Sequence, residues 1–253
     1  MIPENKLPAV KKALQTAFGV SEFDEIQQLT KGLSSALIFK ITIHENPYLL
    51  RLITRTDAMA DPTNHFVCME HAAEAGLAPL VYYLSIEERI SITDFIQEQS
   101  FPMHQAKEKM AQLLRQLHAL SKFPALRNSY FEMMNGFVTK FHAANIFPET
   151  ITKDLFEAYE HAFSLYPHND QQDWVSCHND AKPENIIFDG TRPWLVDWEA
   201  AFLNDRYLDL AVVANFVVKD EEDEIYFLGK YFGEIDDYKR ARFFIMSQLL
   251  HVF

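Results

Sequence analysis

Residues 174–199 constrain this chain more than any other stretch, because β-prone runs alternate there with residues that break them. Trp174-Val175-Ser176-Cys177 reads as a short strand. The loop His178-Asn179-Asp180-Ala181-Lys182-Pro183-Glu184-Asn185 follows. Pro183 discourages a helix through it, since proline lacks an N–H and fixes its own φ. Ile186-Ile187-Phe188 is β-prone, Asp189-Gly190 is a hairpin-turn dipeptide, and Trp194-Leu195-Val196 reads as the returning strand. That strand delivers Asp197 beside Asn185.

The polar groups of this stretch fall in the order H-x-D-x-x-x-x-N, followed by an isolated aspartate behind an apolar run. Phosphoryl transfer needs these groups. A carboxylate orients an attacking hydroxyl and takes its proton, and oxygen ligands hold Mg²⁺ on the nucleotide phosphates. Asp180 suits the first role, and Asn185 and Asp197 the second. The competing reading makes Asp180 and Asn185 ordinary turn residues and Asp197 a strand-end cap. Three groups in kinase order at once favour the catalytic reading.

With 253 residues the chain can bury one large core or two modest ones, and 48% hydrophobic content indicates a globular protein. Its 23 basic and 36 acidic residues give a formal net charge of −13, which argues against nucleic-acid and anionic-membrane surfaces. The charge mildly favours a cationic small substrate, with plain solubility as the alternative. Cys68 and Cys177 are too few and too far apart for a disulfide framework, which suits a reducing compartment. Residues 1–20 lack the apolar core of a signal peptide, and no run approaches the roughly 18 apolar residues of a spanning helix. The expectation is a cytoplasmic chain without membrane insertion. Oligomeric state is not readable.

Periodicity predicts a short amphipathic helix over 6–18 and strands within 26–53, with a turn at His44-Glu45-Asn46-Pro47. Asp61-Pro62 reads as an N-cap and first helical residue, for a helix running to about Ala75 and stopping at Gly76. Leu80–Leu84 and Arg89–Thr93 suggest two more strands. From about residue 104 the pattern turns helical: Ala106–Leu120, 150–165, Leu208–Val218, 220–232 and 236–253, with 125–147 mixed. The expected fold class is α+β, with a β-rich nucleotide-binding lobe over 1–95 carrying one main helix, and a mainly helical catalytic lobe over 96–253.

Lys31-Gly32-Leu33-Ser34-Ser35 precedes a predicted strand, and a turn there offers backbone N–H groups and the Ser34 and Ser35 hydroxyls to phosphate oxygens. With one glycine it also reads as an ordinary strand-entry turn. Arg51 is the only basic residue in the apolar strand Tyr48–Ile53 and suits the α/β-phosphates. Its expected partner is a carboxylate on the 62–75 helix. Glu70 is preferred over Glu74, which sits at the C-terminal end, where the helix dipole disfavours an anion.

These residues resemble the choline/ethanolamine kinase group, bacterial choline kinase type, within the aminoglycoside-phosphotransferase-like superfamily of protein-kinase-like bilobal folds. Gly32-Leu33-Ser34-Ser35, Leu50-Arg51, Cys177-His178-Asn179-Asp180 with Asn185, and Asp197-Trp198-Glu199 with Asn204–Ala211 carry the resemblance, together with Leu117-His118. It implies ATP, Mg²⁺ and an alcohol acceptor on a small amine. Asp180 would be the catalytic base, Asn185 and Asp197 the metal ligands, and the linker near Asp94, Phe95 and Ile96 the adenine site. Two departures stand out. The phosphate loop is poor in glycine, and the chain stops at Phe253 within an apolar helix, whereas the group has more helix afterwards. If this sequence is a piece of a longer chain, part of the acceptor pocket is expected outside it.

A quaternary ammonium needs an aromatic wall and a carboxylate. Trp198, Glu199 and Tyr207 are the candidates, with core packing as the alternative for both aromatics. Asp209 reads as a brace for the catalytic loop. Residue spacing alone supports a nucleotide and a hydroxyl acceptor, which leaves aminoglycoside, thiamine or a sugar open beside choline and ethanolamine. A catalytically silent kinase-fold binding module is the reading from another class. A protein kinase fits less well, because Trp198-Glu199 stands where Phe-Gly is expected.

Overall fold

Alternating apolar residues build the sheet. β2 (Leu37–Ile43) turns Phe39, Ile41 and Ile43 into the core, and β3 (Asn46–Leu52) does the same with Leu50 and Leu52. Their tight turn places His44 and Glu45 at φ 48° and 67°, the twist that suits a two-residue hairpin. β1 (Glu25–Leu29), β4 (Val81–Ser85) and β5 (Ile90–Asp94) complete an antiparallel sheet of order β1-β2-β3-β5-β4. α1 (Leu7–Phe18) lays Val10, Ala13 and Leu14 against Phe39, Ile41, Leu50, Leu52, Ile90 and Ile92. The computed structural model describes residues 2–29, 36–57, 60–126, 130–167 and 170–252.

The chain divides into two compact units, residues 1–100 with 184–199 and residues 101–183 with 200–253. In the first unit, α2 (Thr63–Glu74) starts where the Asp61 carboxylate accepts the Thr63 amide at 2.9 Å. It stops before Gly76, whose φ of 71° suits glycine. The expected hairpin forms as β7 (Ile186–Phe188) and β8 (Pro193–Leu195). It is stitched to the same unit: the Gln99 amide donates to Phe188 O at 2.7 Å, and the Leu195 amide to Leu77 O at 2.9 Å. At its tip the Asp189 carboxylate accepts the Thr191 and Arg192 amides and the Trp194 indole N–H. Pro183 opens a single 3₁₀ turn, Pro183–Asn185, in place of a fully irregular loop. One such turn is compatible with proline at its first position.

In the second unit, α3 (Met103–Leu117) buries the stripe Ala106, Met110, Leu113, Leu114 and Leu117. α4 (Tyr130–Ala144) is helical where the sequence reads as mixed, and α5 (Glu149–Leu165) follows. β6 (Trp174–Cys177) pairs antiparallel with β9 (Phe202–Asp205), a strand that sequence pattern does not predict. Then come α6 (Arg206–Val217), α7 (Glu221–Phe232) and α8 (Asp237–Val252). Among the described residues no helix is long and apolar enough to cross a membrane.

Leu50 is fully buried, whereas Ile26 is 41% exposed. Leu50→Ala is expected to cost about 2–5 kcal/mol of stability in urea unfolding, and Ile26→Ala within about 0.5 kcal/mol.

Candidate active site

Strand alternation settles where Arg51 goes. Leu50 and Leu52 face the core, so Arg51 between them leaves from the other face. Its Nη2 donates to Asp197 Oδ1 at 3.1 Å and also meets the Glu199 carboxylate. The expected partner, Glu70, lies exposed on α2 and makes no ion pair among the described residues. The two carboxylates that meet Arg51 come from beyond the end of the β7–β8 hairpin instead.

The hairpin register brings Asn185 and Asp197 together. Ile186 pairs with Leu195, and the Val196 amide donates to Asn185 O at 2.9 Å, so the two residues leave the strands side by side. Asn185 is buried, and the Asp197 side chain is 34% exposed. Asp197 sits at φ 62°, in the left-handed region that aspartate tolerates better than most residues. A carboxylate and a carboxamide are hard oxygen donors, the set Mg²⁺ takes. These residues fit the ion expected here.

The nucleotide candidates divide. Ser34 and Ser35 lie outside the described residues. Asp94 closes β5 opposite Tyr48, the Lys40 ammonium stands 4.6 Å from the Phe95 ring centre, and Ile96 is half-buried. His65, on the first turn of α2, is a neighbour that sequence reading missed. Burial drives its pKa down to about 4, and the Arg51 charge adds to this, against the pull of Asp197 and Asp61.

The second unit holds the loop that carries Asp180. The Asp209 carboxylate, on α6, accepts the amide of His178 at 2.9 Å, the amide of Asn179 at 2.6 Å and His118 Nε2 at 3.0 Å. An ionised carboxylate only accepts, so Nε2 donates, and Nδ1 on the other side of the ring lies 2.6 Å from the Tyr231 hydroxyl. Complete burial by itself would raise the Asp209 pKa. The His118 hydrogen bond and charge, the charge of His178 and the His178 amide outweigh it and hold the group below the usual carboxylate value. Asn179 takes φ 63° and is fixed there on both sides. Its Nδ2 donates to Ala200 O at 2.8 Å, and its Oδ1 accepts from Asn204 Nδ2 at 2.8 Å. Asp209 thus braces the loop, as its position in the sequence suggested. Asp180 follows directly, half-buried with its side chain 37% exposed, and paired with Lys182 at 2.9 Å. A pair this accessible to solvent contributes only about 0–1 kcal/mol, so giving it up to a hydroxyl costs little.

Two aromatic acceptor candidates are packing residues. Trp198 is 3% exposed and Tyr207 is wholly buried, so neither offers an open ring face. Tyr207 does face a cation, but that cation belongs to the chain. Arg242 lies 4.4 Å from the Tyr166 ring centre, 5.6 Å from Tyr207 and 5.8 Å from Tyr238, and it pairs with the Asp205 carboxylate. Glu199, the third candidate, is held by Arg51. Tyr130, at the start of α4, is an aromatic the sequence reading missed. Its hydroxyl pKa is pushed up to about 12, mainly by burial and then by the charges of Asp209 and Asp180.

His65 gives the site a pH signature. Its pKa falls from 6.5 to about 4 on folding, so the unfolded chain binds a proton that the folded one refuses. The associated stability is complete above about pH 6.5 and is lost as pH falls toward 4. The loss amounts to about 3 kcal/mol at most, at 1.36 kcal/mol per pKa unit. Denaturant unfolding at pH 7, 5.5 and 4 is expected to show this slope, and His65→Gln to flatten it.

Comparison with known proteins identifies the family and the fold. Residues 25–244 match the model of the phosphotransferase enzyme family. Protein LicA of Haemophilus influenzae is 24% identical over 198 residues, covering 72% of this chain and 70% of that protein. A choline/ethanolamine kinase family protein from Mesorhizobium loti superposes with a TM-score of 0.72 at 20% identity, over 98% of this chain and 83% of that one. Choline kinase LicA from Streptococcus pneumoniae superposes with a TM-score of 0.68 at 19% identity, over 98% and 89%. The α+β architecture is therefore protein-kinase-like, and the chain belongs to the phosphotransferase enzyme family.

Proposed function

We propose that this protein transfers the γ-phosphoryl group of ATP to the hydroxyl of choline, ethanolamine or a related amino alcohol, in the cytoplasm. The observation that carries the phosphotransfer is the Asp209 clamp, which fixes the loop immediately before Asp180 and leaves that carboxylate open to solvent on one side. Likeness to Protein LicA of Haemophilus influenzae and to the choline/ethanolamine kinase structures supports the amino-alcohol acceptor.

In this reading Asp180 orients the acceptor hydroxyl and takes its proton as the oxygen attacks the γ-phosphorus. The bond to the β,γ-bridging oxygen breaks, and ADP leaves. Asn185 and Asp197 would hold Mg²⁺, which would neutralise charge on the phosphates. Arg51 meets the α/β-phosphates, with Ser34 and Ser35 as further phosphate contacts, and Asp94, Phe95 and Ile96 bound the adenine. Tyr130, half-buried at the start of α4, is a better aromatic candidate for the acceptor than the wholly buried Tyr207.

An ADP-release assay over choline, ethanolamine, an aminoglycoside, thiamine and a sugar tests the acceptor. Turnover is expected with choline or ethanolamine. Asp180→Asn is expected to lower kcat by about 10²–10⁴-fold with the melting curve unchanged. ATP binding without turnover of any acceptor, indifferent to this substitution, would make the protein a binding module.

A further inference from the structure

Arg51 has two carboxylates and one charge. Its side chain is only 12% exposed, so the guanidinium needs a partner at all times. Asp197 and Glu199 meet it through the same nitrogen, Nη2. Asp197 is also the residue read above as a metal ligand, so a divalent cation and Arg51 compete for one carboxylate. Glu199 lies two residues further on, in the 3₁₀ turn Trp198–Ala200, and its side chain is 45% exposed. The short turn tethers the two carboxylates, and both stay within reach of one guanidinium.

We propose that Glu199 is a positioning residue that holds Arg51 when Asp197 is given up to the metal. It draws the guanidinium off Asp197, which eases metal entry, and keeps the arginine in place for the phosphates. This rests on the reading of Asp197 as a metal ligand and goes beyond it, because it gives Glu199 a role that is neither acceptor binding nor metal ligation. The role also accounts for a second carboxylate beside an arginine that Asp197 alone could pair.

Mn²⁺ binding to the nucleotide-free chain, followed by the loss of the free-ion paramagnetic resonance signal, tests this with a double-mutant cycle. Glu199→Gln leaves Arg51 with Asp197 as its carboxylate and is expected to weaken Mn²⁺ binding roughly fivefold, the weight of a partly exposed ion pair. With Arg51→Gln already in place, the same substitution is expected to leave Mn²⁺ affinity unchanged. An equal loss in both backgrounds would make Glu199 a metal ligand and overturn the proposal. No loss in either background, with only a lower melting temperature, would make the pair structural and overturn it equally. Asp197→Asn separates the underlying reading: if it leaves Mn²⁺ binding intact, the metal site itself is misassigned.

Discussion

A buried carboxylate at the start of α6 carries more of this structure than any other group. Asp209 is removed from water, and its charge is tolerable because three N–H groups point at it: two consecutive amides and the His118 ring. The amides belong to His178 and Asn179, so the same interaction that stabilises the charge fixes the backbone entering the Asp180 loop. Asn179 is then locked in a left-handed conformation, with Ala200 on one side of its amide group and Asn204 on the other. A side chain placed directly after such a residue has little freedom of direction. Rigid supports of this kind let a catalytic carboxylate act without reorganising.

The first unit solves a different problem, that of holding several like charges at short range. The β7–β8 hairpin brings Asn185 and Asp197 to one end, and Arg51 crosses from the sheet to meet Asp197 and Glu199. One guanidinium shared by two carboxylates leaves a negative charge in excess. His65 stays neutral beside this cluster chiefly because it is buried, with the Arg51 charge adding to the effect against the pull of Asp197 and Asp61.

Much of the fold is written in local pattern. The period-2 runs of β2 and β3, the Asp189-Gly190 hairpin and the stripe of α3 can be read directly, because each follows from its own alternation, turn dipeptide or helical spacing. β9 is illegible, because Phe202–Asp205 is short and becomes a strand only by pairing with β6, some 28 residues earlier in the register Trp174–Asp205 to Cys177–Phe202. α4 is obscured by Asn135 and Gly136 in its interior, where tertiary burial of Phe131, Met134 and Val138 overrides weak propensity. In the proposed site, the order of Asp180, Asn185 and Asp197 is a matter of sequence spacing, and the brace that Asp209 gives the loop is readable beside it. The partner of Arg51 is not, since proximity in sequence suggests Glu70 while the contact comes from a residue 146 positions away. Tyr207 misleads for a related reason. An aromatic near an acidic residue looks the same in sequence whether the cation between them is a ligand or Arg242.

The most direct test is a crystal structure of the chain with Mg²⁺, a non-hydrolysable ATP analogue and choline. The account predicts the ion on the side-chain oxygens of Asn185 and Asp197, Arg51 on the phosphates, and the choline hydroxyl about 3 Å from the Asp180 carboxylate. A nucleotide bound away from Asp197, or an acceptor hydroxyl out of reach of Asp180, would contradict it.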